Sequence, residues 1–88
     1  MQKHDQHTQE QLNNLGKRLK ALRKEKGYSN YEQFAFTHNI SRAQISRYEN
    51  GKDIRFSTLI RVLEALDVSL QEFFSEGFGV KKENTENS

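Results

Sequence analysis

Apolar residues recur along this chain at steps of three and four, and no stretch alternates with the period of a strand. Leu12, Leu15, Leu19 and Leu22 form one stripe and predict a first helix over residues 9–26. Thr8 and Gln11 have the spacing of a capping box at its start. Gly27, preceded by Lys24 and Lys26, marks its end. Asn30 can cap a second helix over about residues 31–38, with Gln33 at its third position. Tyr31, Phe34, Ala35 and His38 share one side of it, and Phe36 points elsewhere. Asn39 tolerates a left-handed backbone and can close a tight turn.

Ser41 and Gln44 form another capping box, with Ile40 and Ile45 placed as a hydrophobic staple around it. The third helix is predicted over 42–49, ended by Asn50-Gly51. A basic loop covers 51–56. A fourth helix over 57–66 buries Leu59, Ile60, Val62, Leu63 and Leu66. Ser69 and Glu72 cap a short fifth helix over 70–75, and Val68 can staple to Phe73. Phe34, Phe56 and Phe73, with Phe74 beside them, read as core. Phe36 and Phe78 fit the helix faces poorly. They leave two readings open: incidental exposure with a tail that folds back, or a self-association surface. The expected fold is all-α, a compact five-helix domain over 9–76. It lies between a disordered polar segment over 1–8 and a flexible tail over 77–88.

Composition narrows the function more than the fold. Of 88 residues, 33% are hydrophobic, enough for one small and economical core. There is no cysteine, so disulfides and thiolate metal sites are excluded and a reducing compartment fits. No apolar run approaches the roughly 18 residues of a membrane span, and the start of the chain lacks the apolar segment of a secretory signal. A cytoplasmic protein is expected. His4 and His7 lie in a segment with no further ligands, so no metal site is expected. The net charge is only +2, but residues 17–61 carry eleven basic against four acidic side chains. Residues 62–88 carry two against six. That asymmetry fits either a polyanion-binding face or a solvated mixed-charge surface.

The third helix has two unlike faces. At about 100° per residue, Ala43, Ser46 and Arg47 fall within roughly 140° of Arg42, while Ile45 and Tyr48 fall opposite. The apolar side can dock the helix, and Ala43 keeps the polar side low enough for close approach. Arginine can make two parallel hydrogen bonds to the edge of guanine in the major groove, each such pair worth about 1–3 kcal/mol of discrimination. Taken alone, the helix fits a solvated surface helix equally well.

The neighbouring segments shift that balance. Two short helices joined by a tight turn, over about 31–49, make a helix-turn-helix. With the string Ile45-Ser46-Arg47-Tyr48-Glu49-Asn50-Gly51-Lys52, the chain resembles the Cro/cI repressor family of DNA-binding domains, also called the xenobiotic-response-element family. The resemblance covers about residues 15–74. Ala35, Ile40 and Ile45 match its core positions, and Leu66-Asp67-Val68-Ser69-Leu70-Gln71-Glu72-Phe73-Phe74 is similar to its usual ending. The resemblance implies a lambda-repressor-like fold with recognition helix 42–49. Arg42, Ala43, Ser46 and Arg47 match base-facing positions. Gln44, Asn50 and Lys52 match positions that hold the phosphate backbone. Tyr31 stands where the family has glutamine gripping a phosphate, a task open to its hydroxyl or to the helix-start amides. Arg55, in the basic loop, joins the expected phosphate contacts. Arg23 and Glu49 match an ion pair tying the first helix to the end of the recognition helix. Asn39 replaces the common turn glycine. One residue is added before the second helix and one is missing before the fourth. These departures bear on the phosphate contacts of Tyr31 and Arg55.

The expected function is sequence-specific binding of double-stranded DNA by a transcriptional repressor, a homodimer on a palindromic operator. The alternative is an antitoxin-like interaction module, with a small protein partner and autoregulatory DNA binding. An enzyme is not expected. The chain has no cysteine nucleophile, no phosphate loop and no histidine–carboxylate cluster on a rigid element. No cofactor is implied.

Overall fold

In a computed structural model that describes residues 4–79, the chain forms α1 (Gln6–Glu25), α2 (Tyr31–Thr37), α3 (Arg42–Glu49), α4 (Phe56–Leu66) and α5 (Leu70–Phe74). The first four helices end alike. Gly27, Asn39, Gly51 and Asp67 each take a left-handed backbone, with φ of 98°, 56°, 90° and 59°. Behind each, two amides turn back onto the last turn: Gly27 and Tyr28 onto Lys24 and Arg23, and Asn39 and Ile40 onto Phe36 and Ala35. Gly51 and Lys52 turn onto Tyr48 and Arg47, and Asp67 and Val68 onto Glu64 and Leu63. This Schellman ending satisfies carbonyls the helix leaves free and sends the chain off sharply. It fixes the tight turn between α2 and α3 with asparagine in place of glycine.

The start of α1 differs from expectation. The N-cap is Asp5, whose carboxylate accepts from the Thr8 amide at 2.7 Å. Thr8 therefore lies inside the helix, and residues 6–8 are ordered as helix. A carboxylate is the stronger acceptor at the positive end of a helix dipole. Gln9 reaches the end of α3, where its side-chain amide donates to the Gly51 carbonyl at 3.0 Å. The tail expected over 77–88 lies outside the described residues from 80 onward. Its first part folds back, with the Phe78 ring 5.6 Å from Phe73 and 4.9 Å from Phe74.

Leu19, Leu22, Phe34, Ala35, Ile45, Leu59, Val62, Leu63, Leu66 and Phe73 make the buried core, with Tyr48 and Val68 at its margin. Three residues expected there lie outside it. Phe56 is 59% exposed, Phe74 46% and Ile60 37%. On α4 the buried stripe runs through Leu59, Val62, Leu63 and Leu66, and a 100° step places Phe56 and Ile60 on its flank. Phe74 sits at the last position of a five-residue helix whose buried residue is Phe73, and packs edge-on against that ring at 4.9 Å. Two charged residues, Arg18 and Arg23, are buried instead. Arg18 donates to the carbonyls of Phe73 and Glu72, each at 2.9 Å, and so closes the end of α5.

Candidate nucleic-acid interface

The third helix is fixed by its apolar side, where Ile45 is buried and Tyr48 nearly so. At its start, the Ser41 hydroxyl accepts from the Gln44 amide at 3.3 Å. Arg42, Ala43, Gln44 and Arg47 are left exposed, and Ser46 half-buried, along the outer side. Arg42 reaches Glu32 on α2, Nη1 to Oε2 at 3.2 Å, with both side chains more than half exposed. An exposed pair of this kind is worth well under about 1 kcal/mol, so Arg42 remains free to exchange partners. Arg47 has no carboxylate within 4 Å among the described residues.

Three contacts hold α3 against α1. Arg23 binds Glu49 through two bonds, Nε to Oε2 at 2.7 Å and Nη2 to Oε1 at 3.1 Å, and donates its third to the Tyr28 carbonyl at 2.7 Å. The side chains of this pair are 4% and 8% exposed. Near the middle of α1, Gly16 lets the helices approach until its missing Cβ would lie 2.5 Å from the Tyr48 carbonyl oxygen. The third contact is Gln9 to Gly51. Neither Gln9 nor Gly16 was among the expected functional residues. The available signal was a glycine inside an otherwise unbroken helical stripe, which marks close backbone approach.

The other expected site residues are spread around α3. Asn50 caps its end, donating to the Ser46 carbonyl at 2.7 Å, and is exposed. Lys52 is exposed just past the turn, and Arg55 is exposed at the N-cap of α4 with no capping bond from its side chain. Tyr31, the first residue of α2, is half-buried. Tyr31, Ser46, Glu49 and Asn50 line one cavity together with Lys20, Lys24 and Asn30. Arg55 and Lys52 lie outside that lining. His38 is a packing residue, 3.1 Å from the Tyr28 hydroxyl and with its ring tilted against that of Phe34, centroids 4.9 Å apart. His4 lies 3.7 Å from Asp53.

A helix-turn-helix family model matches residues 19–73, more than half of the chain. The chain belongs to the Cro/cI-type helix-turn-helix family. Comparisons with curated proteins and with solved structures give no match. As a Cro/cI-type domain, the protein is a DNA-binding transcription regulator whose partner is double-stranded DNA. The family is a regulatory DNA-binding domain. Among the described residues no helix is long and apolar enough to cross a membrane.

Proposed function

We propose that α3 enters the major groove and reads bases with Arg42, Ala43, Ser46 and Arg47. In this reading Tyr31, Gln44, Asn50, Lys52 and Arg55 hold the flanking phosphates, and the unit that does so comprises α1 through α5. The observation that carries it is the exposed two-arginine face on a helix clamped to α1 at three points. A rigid platform keeps the ordering cost of binding low, and paired donors at fixed spacing on such a platform are what base readout needs. The protein acts as a repressor by occupying promoter DNA. It binds as a homodimer, for which the exposed rings of Phe36, Phe56 and Phe74 offer apolar surface. Two-fold symmetry then places two copies of α3 in successive major grooves.

The test separates base contacts from phosphate contacts. Arg42→Ala and Arg47→Ala each relax preference at one base position, by about 1–3 kcal/mol of discrimination. Lys52→Ala weakens all sequences alike and flattens the salt dependence of binding by about one unit of slope. Unchanged base preference in both arginine variants contradicts the assignment of α3.

A further inference from the structure

The helix-turn-helix carries two carboxylates, Glu32 and Glu49. Glu49 is bound to Arg23 at the junction of α1 and α3. Glu32 stands in the first turn of α2, more than half exposed, and its Oε2 accepts from Arg42 Nη1 at 3.2 Å. The two arginines of the reading face therefore differ. Arg42 is tethered to α2, whereas Arg47 has no carboxylate within 4 Å among the described residues. The tether uses one nitrogen. Nε and Nη2 of Arg42 make no hydrogen bond among the described residues. They are the same parallel donors that Arg23 places on the two oxygens of Glu49. An arginine held at Nη1 thus keeps the fork that matches O6 and N7 of guanine. The footing of the tether is stiff, because the left-handed turn at Asn39 and the Ile40 amide, 2.8 Å from the Ala35 carbonyl, fix where α3 leaves α2. In water the exposed pair is weak. Covered by DNA, it lies in a lower dielectric and strengthens.

We infer that Glu32 is the positioning residue for Arg42, holding its guanidinium so that the Nε–Nη2 edge reads guanine and does not swing to a neighbouring phosphate. The inference rests on the reading of α3 as the recognition helix. It deepens that reading by giving one of its two arginines a support on α2 that the other lacks. Glu32 also acts against wrong sequences. Beside DNA it is an anion facing a polyanion, and its repulsion is offset only where Arg42 finds a guanine.

Wild type, Glu32→Ala and Glu32→Gln are compared by competition binding. The duplexes carry each base in turn at the position that Arg42→Ala relaxes and at the position that Arg47→Ala relaxes. Guanine preference at the Arg42 position falls about tenfold in Glu32→Ala, the coupling expected of two side chains in contact. Glu32→Gln, whose amide oxygen still accepts from Nη1 without the charge, loses less. Preference at the Arg47 position stays as in wild type. Affinity for a duplex without the site does not fall, because the group removed is an anion beside a polyanion. In an Arg42→Ala background, Glu32→Ala leaves base preference as it was. A purely structural role for Glu32 at the start of α2 would instead lower preference at both positions together and would persist without Arg42. Either of those results, or an unchanged guanine preference in Glu32→Ala, overturns the inference. If Arg42→Ala still relaxes its position in that case, the reading of α3 stands and only the support from Glu32 fails. If Arg42→Ala relaxes no position, the reading of α3 fails first and the inference with it.

Discussion

Replacing Gly16 by alanine sets two effects of opposite sign against each other. Alanine is the better helix former, and in the interior of α1 the exchange favours the folded state by about 1 kcal/mol. Against this, the added Cβ lies 2.5 Å from the Tyr48 carbonyl oxygen and 2.7 Å from that of Glu49. Both obstacles are backbone atoms in the last turn of α3, so no side-chain rotation relieves the contact and α3 must move as a body. Overpacking of this kind costs about 1–3 kcal/mol, and the rigid obstacle places the cost at the upper end. The net expectation is destabilisation by about 1–2 kcal/mol, or a fall of roughly 4–16 °C in Tm for a domain of this size. Because α3 is displaced, DNA affinity drops at temperatures where helix content is intact. Urea unfolding followed by far-ultraviolet circular dichroism gives the first number, and fluorescence anisotropy with a labelled duplex gives the second. A Gly16→Ala variant as stable as wild type, with unchanged affinity, refutes the role of close α1–α3 approach.

Glu49→Ala leaves the Arg23 guanidinium buried without its carboxylate and should cost about 3–5 kcal/mol in urea unfolding. Adding Arg23→Met to that variant should recover most of the loss, and a Glu49→Ala variant within about 1 kcal/mol of wild type would contradict the buried-pair account. At the other end of α1, the Thr8 amide holds the Asp5 carboxyl below its ordinary value of 3.8. A depressed carboxyl stabilises the fold above the unfolded value, and that contribution fades as pH falls through the folded one. Asp5→Ala should therefore lower amide protection in the first turn of α1 at neutral pH and make little difference in strong acid. Equal protection at neutral pH in the two proteins would rule out Asp5 as the cap.

Helix ends were legible in the sequence because the residues that stop a helix must do so by backbone conformation. Gly27, Asn39 and Gly51 announce left-handed turns by type, and α3 runs over the expected 42–49. The exposed side of α3 was legible for the same local reason, as periodicity alone separates Arg42 and Arg47 from Ile45. What depends on distant partners was harder to read. The Arg23–Glu49 pair spans 26 residues and came from family resemblance, since two charges that far apart carry no spacing signal. Arg18 was invisible because its partners are main-chain carbonyls of α5, which any residue supplies. Phe56 and Ile60 were misplaced because a helix flank and a helix centre differ by one step of rotation. Helix packing decides which is covered.

The central claim is that α3 reads base sequence from a two-fold assembly. Selection of bound duplexes from random DNA at low salt tests it most directly. The account predicts enrichment of two inverted half-sites whose centres lie about one helical turn apart, about 10–10.5 base pairs, with guanines where Arg42 and Arg47 reach. Recovery of single half-sites without fixed spacing would contradict the dimer, and failure to enrich any sequence would contradict base reading by α3.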